Sequence, residues 1–95
     1  MSVEIQWSET HPETGERRFV AVRRFAGQWW FKSKLHRRGE WTKEPTPTIE
    51  MWERVLDSLH RRYRRREGVT DEDLEQVTKI VEGMKREREE RDRDV

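Results

Sequence analysis

Residues 17–35 read Arg-Arg-Phe-Val-Ala-Val-Arg-Arg-Phe-Ala-Gly-Gln-Trp-Trp-Phe-Lys-Ser-Lys-Leu. Two runs rich in Val, Phe and Trp flank Ala26-Gly27. Such side chains suit the pleated surface of a strand, and Gly suits a turn. The stretch therefore reads as a β-hairpin, with one strand from Arg17 to Phe25 and another from Trp29 to Leu35. Upstream, Val3-Glu4-Ile5-Gln6-Trp7-Ser8 alternates apolar and polar, as a half-buried strand does because successive side chains leave opposite faces. His11-Pro12-Glu13-Thr14-Gly15 breaks that run with turn residues. Residues 1–40 are thus expected to form a three-stranded antiparallel meander, with a short fourth strand near Trp41.

The length of the second turn decides which residues share a face, because a slip of one residue exchanges the faces of a strand. A three-residue loop ending at a left-handed Gly27 pairs Arg24 with Gln28, Val22 with Trp30, Val20 with Lys32, and Arg18 with Lys34. Phe19, Ala21, Trp29, Phe31 and Leu35 then face inward with Val3, Ile5 and Trp7. A two-residue loop would instead expose Phe19, Phe25 and Trp30 together, so the odd loop is the expectation.

Glu44-Pro45-Thr46-Pro47 marks the change from sheet to helix, with Thr46 as N-cap and Pro47 at the first helical position. Ile49, Trp52, Leu56, Leu59 and Tyr63, with Val55 beside them, recur at helical spacing over about five turns, with Trp52 facing the core. Gly68 stops that helix. Thr70-Asp71-Glu72-Asp73 opens a second, whose stripe is Leu74, Val77, Ile80, Val81 and Met84. The expected fold class is α+β, in the order β-β-β-α-α with helices packed on the sheet. Residues 1–84 form a single domain on this reading. Residues 85–95, where only Val95 is apolar, form a charged extension or tail.

With 31% apolar and 43% charged residues, the core must be thin and aromatic-rich or leave part of the chain outside it. The chain has no Cys, which excludes disulfides, thiolate catalysis and Cys-ligated zinc, and points to a cytoplasmic protein. No apolar run has the length of a membrane span, and the opening Met-Ser-Val-Glu-Ile-Gln lacks the pattern of an export signal. His11, His36 and His60 show no metal-ligand spacing. Asp57 and His60 lie one helical turn apart without a nucleophile nearby. Asp71, Glu72, Asp73 and Glu75 read as a helix start, and Gly27 and Gly39 are too isolated for a phosphate-binding loop. No catalytic centre, metal or cofactor is expected.

The net charge of +1 conceals an asymmetry: residues 1–68 hold fifteen Lys/Arg and ten Asp/Glu, residues 69–95 six and ten. Between Arg17 and Lys43 nine cations face one acid, Glu40, and Trp29, Trp30, Phe31 and Trp41 lie among them. Cations hold the phosphates of a nucleic acid while rings stack on its bases. On the expected register Arg18, Arg24, Lys32 and Lys34 surround Val20, Val22 and Trp30 on the outer face. A second basic group, Arg61, Arg62, Arg64, Arg65 and Arg66, surrounds Tyr63. A plain solvated sheet, with acids such as Glu4 paired across strands, would use the same outer residues.

Three antiparallel strands followed by a helix, over residues 3–66, is similar in topology to the small sheet-reading DNA-binding modules of some phage integrases and plant transcription factors. The resemblance implies a sheet that contacts DNA. The expected function is non-catalytic nucleic-acid binding, DNA or RNA, by the two basic groups. The alternative is an interaction or regulatory domain whose basic face docks an acidic protein. The expected state is a monomer or a homodimer, without a membrane partner.

Overall fold

Strand-forming alternation in the first part of the chain gives β1 (Val3–Thr10), β2 (Arg17–Phe25), β3 (Gln28–Lys34) and a short β4 (Thr42–Lys43). They form one antiparallel sheet in sequence order. Two helices follow, α1 (Ile49–Arg64) and α2 (Asp71–Arg93), so the class is α+β. The computed structural model describes residues 3–11, 13–25, 27–44, 46–65 and 67–93. Met1, Ser2, Pro12, Ala26, Pro45, Arg66, Asp94 and Val95 lie outside the described residues. The chain divides into two compact units, Met1–Thr46 and Pro47–Val95.

In the first unit, the β1–β2 turn is closed by the His11 N–H donating to the Glu16 carbonyl at 2.7 Å and the Gly15 N–H to the His11 carbonyl at 2.9 Å. The second turn is one residue shorter than expected. Phe25 pairs with Gln28, Arg23 with Trp30, Ala21 with Lys32, and Phe19 with Lys34. Two residues therefore lie between the strands, and Gly27 has φ +74°. A left-handed glycine suits either loop length, so it could not choose between them. The two apolar sets of β2, Phe19 with Ala21 and Val20 with Val22, also differ too little for burial pattern to do so.

The consequence is an exchange of faces. Val3, Ile5, Val20, Val22 and Phe31 form the buried side, each at most 5% exposed, with Trp7 and Trp29 half-buried beside them. Phe19 and Ala21, expected there, lie on the opposite side. Leu35, also expected inside, falls beyond the end of β3 and is exposed.

In the second unit, α1 starts two residues later than Thr46-Pro47 suggested. Thr48 is the N-cap, its Oγ1 accepting from the Met51 N–H at 3.2 Å. Thr48 is itself extended and offers a capping hydroxyl two residues further on, and the local pattern gives Thr46 and Thr48 nearly equal claims to the cap. The buried positions of α1 are Ile49, Met51, Val55 and Leu59. Ile49, Val55 and Leu59 are buried as expected, whereas Trp52 and Leu56 are only half-buried, Tyr63 is exposed, and Met51, outside the expected set, is buried. Two adjoining apolar rows, one through Met51 and one through Trp52, give nearly the same periodicity, and spacing alone does not say which is central.

Two polar links make α1 and α2 an antiparallel hairpin. The Tyr63 hydroxyl donates to Asp71 Oδ1 at 2.5 Å beside the connection, and Arg88 Nη2 meets Glu50 Oε1 at 3.0 Å at the far end. The carboxylate acceptor raises the Tyr63 pKa above 10.0. Thr70 and Asp73 form a reciprocal cap: the Asp73 N–H donates to Thr70 Oγ1 at 3.2 Å and the Thr70 N–H to Asp73 Oδ2 at 3.1 Å. This accounts for a buried aspartate, from which Val77 and Val81 continue the buried row at four-residue steps. Helix α2 continues past Met84 to Arg93, so the described part of the charged C-terminal stretch is a helical extension.

Candidate nucleic-acid interface

Antiparallel pairing aligns the second sheet face into rows. Phe25 lies beside Gln28; Glu4, Arg23 and Trp30 form the next row; Gln6, Ala21, Lys32 and Lys43 the third; Ser8, Phe19 and Lys34 the fourth; Thr10 and Arg17 the fifth. Successive rows are about 6.7 Å apart, two residues of strand rise. Trp41, just before β4, joins this face: Lys32 Nζ stands 4.9 Å and Lys34 Nζ 4.5 Å from its ring centroid.

The face thus carries Arg17, Arg23, Lys32, Lys34 and Lys43 against the single acid Glu4, which accepts from Gln6 Nε2 at 3.1 Å. Lys32 and Lys43 are direct cross-strand partners. Like charges so placed destabilise a sheet by roughly 0.2–1 kcal/mol. Four aromatic rings share the surface. Lys34 Nζ also stands 6.0 Å from the Phe19 ring and donates to the Arg37 carbonyl at 2.8 Å, while Arg23 lies 5.7 Å from Phe25. Each such cation–π contact contributes roughly 0.5–1 kcal/mol at an exposed site and holds its charge in place. Phe25 is 61% and Trp30 52% exposed, the most exposed large apolar side chains among the described residues. A hollow of about 370 Å³ opens beside them over Ala21.

Of the residues singled out in the sequence, Trp30, Lys32 and Lys34 are brought together here. Arg18 and Arg24 belong to the opposite face. Arg18 is only 8% exposed and its Nη2 meets Glu9 Oε2 at 3.1 Å; the other oxygen of Glu9 accepts from Trp7 Nε1 at 2.8 Å. Its charge is compensated within the sheet. Arg24 is half-buried, paired across strands with Val3 and Trp29. Arg61, Arg62, Arg64 and Arg65 belong to the helical unit, at the end of α1. Arg61 pairs with Asp57 at 3.3 Å, and the Arg62 carbonyl accepts from the Arg65 and Glu67 N–H groups. Arg66 lies outside the described residues.

Sequence reasoning counted Arg17, Arg23, Trp41 and Lys43 in the basic, aromatic stretch but did not place them on the binding face, and it put Phe19 inside and left Phe25 out. The signal was present in the even loop count, which would have joined Phe19 and Phe25 to Trp30. Among the described residues no group of three or more His, Cys, Asp or Glu is placed to hold a metal ion, and no helix is long and apolar enough to cross a membrane. Comparison with protein-family models, curated proteins and solved structures finds no match. Fold and face together define a small α+β protein with one basic, aromatic sheet surface.

Proposed function

We propose that this protein binds nucleic acid through the Arg17, Arg23, Lys32, Lys34 and Lys43 face of its sheet. The observation that carries the reading is the concentration of five cations and four aromatic rings on one face that holds a single carboxylate. Repulsion between neighbours such as Lys32 and Lys43 is relieved when a polyanion lies across them. The exposed rings add a surface on which bases stack. The function is binding without catalysis, in the cytoplasm, which the cysteine-free sequence supports.

The test is titration with mixed-sequence DNA and RNA at two salt concentrations, followed by tryptophan fluorescence. Five phosphate contacts give a slope of log affinity on log salt of about −3.5 on single strands and about −4.5 on duplex DNA. Between 50 and 200 mM salt the affinity should fall roughly 100- to 500-fold. Absence of binding at low salt, together with binding to an acidic polypeptide such as polyglutamate, would replace this reading with an acidic protein partner.

A further inference from the structure

The rings on the basic face are not equivalent, and the difference points to the form of nucleic acid. Trp41 and Phe19 are occupied: the ammonium groups of Lys32 and Lys34 stand over them. Trp30 differs, for among the described residues no cation stacks on its ring, and half its surface is exposed. Beside it lies the hollow bordered by Arg23, Phe25, Lys32 and Lys43, with one acid, Glu4, at its rim and the buried Ala21 beneath.

We infer that the hollow receives one unpaired base, stacked on Trp30, with the flanking phosphates held by Arg23, Lys32 and Lys43, so that the ligand is single-stranded. The inference rests on the nucleic-acid reading above and narrows it. In a duplex the faces of the bases are covered by their neighbours, and only edges and phosphates reach a protein. An indole presents a flat face and one N–H, which suits stacking far better than the reading of edges. The volume is at the small end of ligand pockets, which span roughly 300–1,000 Å³. Stacking is tolerant of sequence because every base has a π-face, so base preference should be weak.

The experiment compares oligothymidylate, oligouridylate, DNA and RNA duplexes of the same length, and heparin, by anisotropy and competition. Both single strands should bind more tightly than duplexes, and tryptophan emission should change on saturation in the wild type but much less in Trp30→Phe, which leaves the other four tryptophans in place. Trp30→Ala should weaken single-strand binding by roughly 5- to 100-fold and leave the salt slope and heparin affinity unchanged, because stacking releases no counterions. Trp30→Phe, which keeps a ring, should retain most of the affinity and guards against misfolding of the alanine variant. Duplexes binding as tightly as single strands, or Trp30→Ala lowering heparin and oligonucleotide binding alike, overturns the inference and leaves the nucleic-acid reading standing. Failure of every polyanion to bind overturns both.

Discussion

Lys43→Gln should make the protein slightly more stable and a weaker ligand binder. Lys43 stands directly across from Lys32, and like charges in that position cost roughly 0.2–1 kcal/mol. Both side chains are exposed, so screening reduces the repulsion, with a Debye length of about 8 Å at 0.15 M salt. A gain of a few tenths of a kcal/mol at low salt is therefore expected, which in a domain of this size raises Tm by roughly 1–2 °C. The gain should vanish by about 1 M salt, where the Debye length is only about 3 Å. Lys32→Gln relieves the same repulsion but also loses the contact with Trp41 at 4.9 Å, worth roughly 0.5–1 kcal/mol, so its stability should be near neutral. Either replacement should flatten the salt slope for single strands by about 0.7, and the double replacement by about 1.4. Thermal melts at two ionic strengths and anisotropy titrations measure the two effects separately. A Lys43→Gln variant that loses more than 1 kcal/mol, or that binds with an unchanged slope, would refute the assignment of this face.

Glu9→Gln removes the charge opposite the buried Arg18, and should lower stability by about 1–3 kcal/mol in denaturant titration while leaving polyanion affinity intact. Leu59→Ala, at a fully buried position of α1, should cost about 2–5 kcal/mol by the same assay; a cost under 1 kcal/mol would mean that the helix face is misassigned. The Glu50 carboxyl is held below its ordinary value of 4.5 by hydrogen bonds from its own backbone N–H and then from Arg88. A lowered carboxyl pKa means stability that is present above the unfolded value and lost as pH falls through the folded one. Melting temperature should thus drop on acidification below about pH 4.5, and less in Glu50→Gln than in the wild type, with an equal drop refuting the assignment.

Local chemistry in the sequence was enough for the order of elements. Strict alternation at Val3–Ser8, the Val- and aromatic-rich runs on either side of Gly27, and the Thr-Asp-Glu-Asp start of α2 each act within a few residues of themselves. Their outcome does not depend on distant partners. Thr70 and Asp73 cap α2 as the pattern implies, and Val77 and Val81 are buried on the expected stripe. The absence of cysteine was likewise readable at once. What needed the tertiary structure was every choice between adjoining alternatives. Gly27 permits loops of two or three residues, and only pairing of the strands chose two, which moved Arg18 and Arg24 away from Trp30 and brought Arg23, Phe25 and Lys43 to it. Thr46 and Thr48 both offer a capping hydroxyl, and the rows through Met51 and Trp52 both offer an apolar stripe. In each case the local energies of the two options differ by little, whereas burying one set of side chains in place of the other changes the free energy by about 1.5–3 kcal/mol for each large residue. That difference exists only once the partners are in place, so it cannot be read from spacing along the chain.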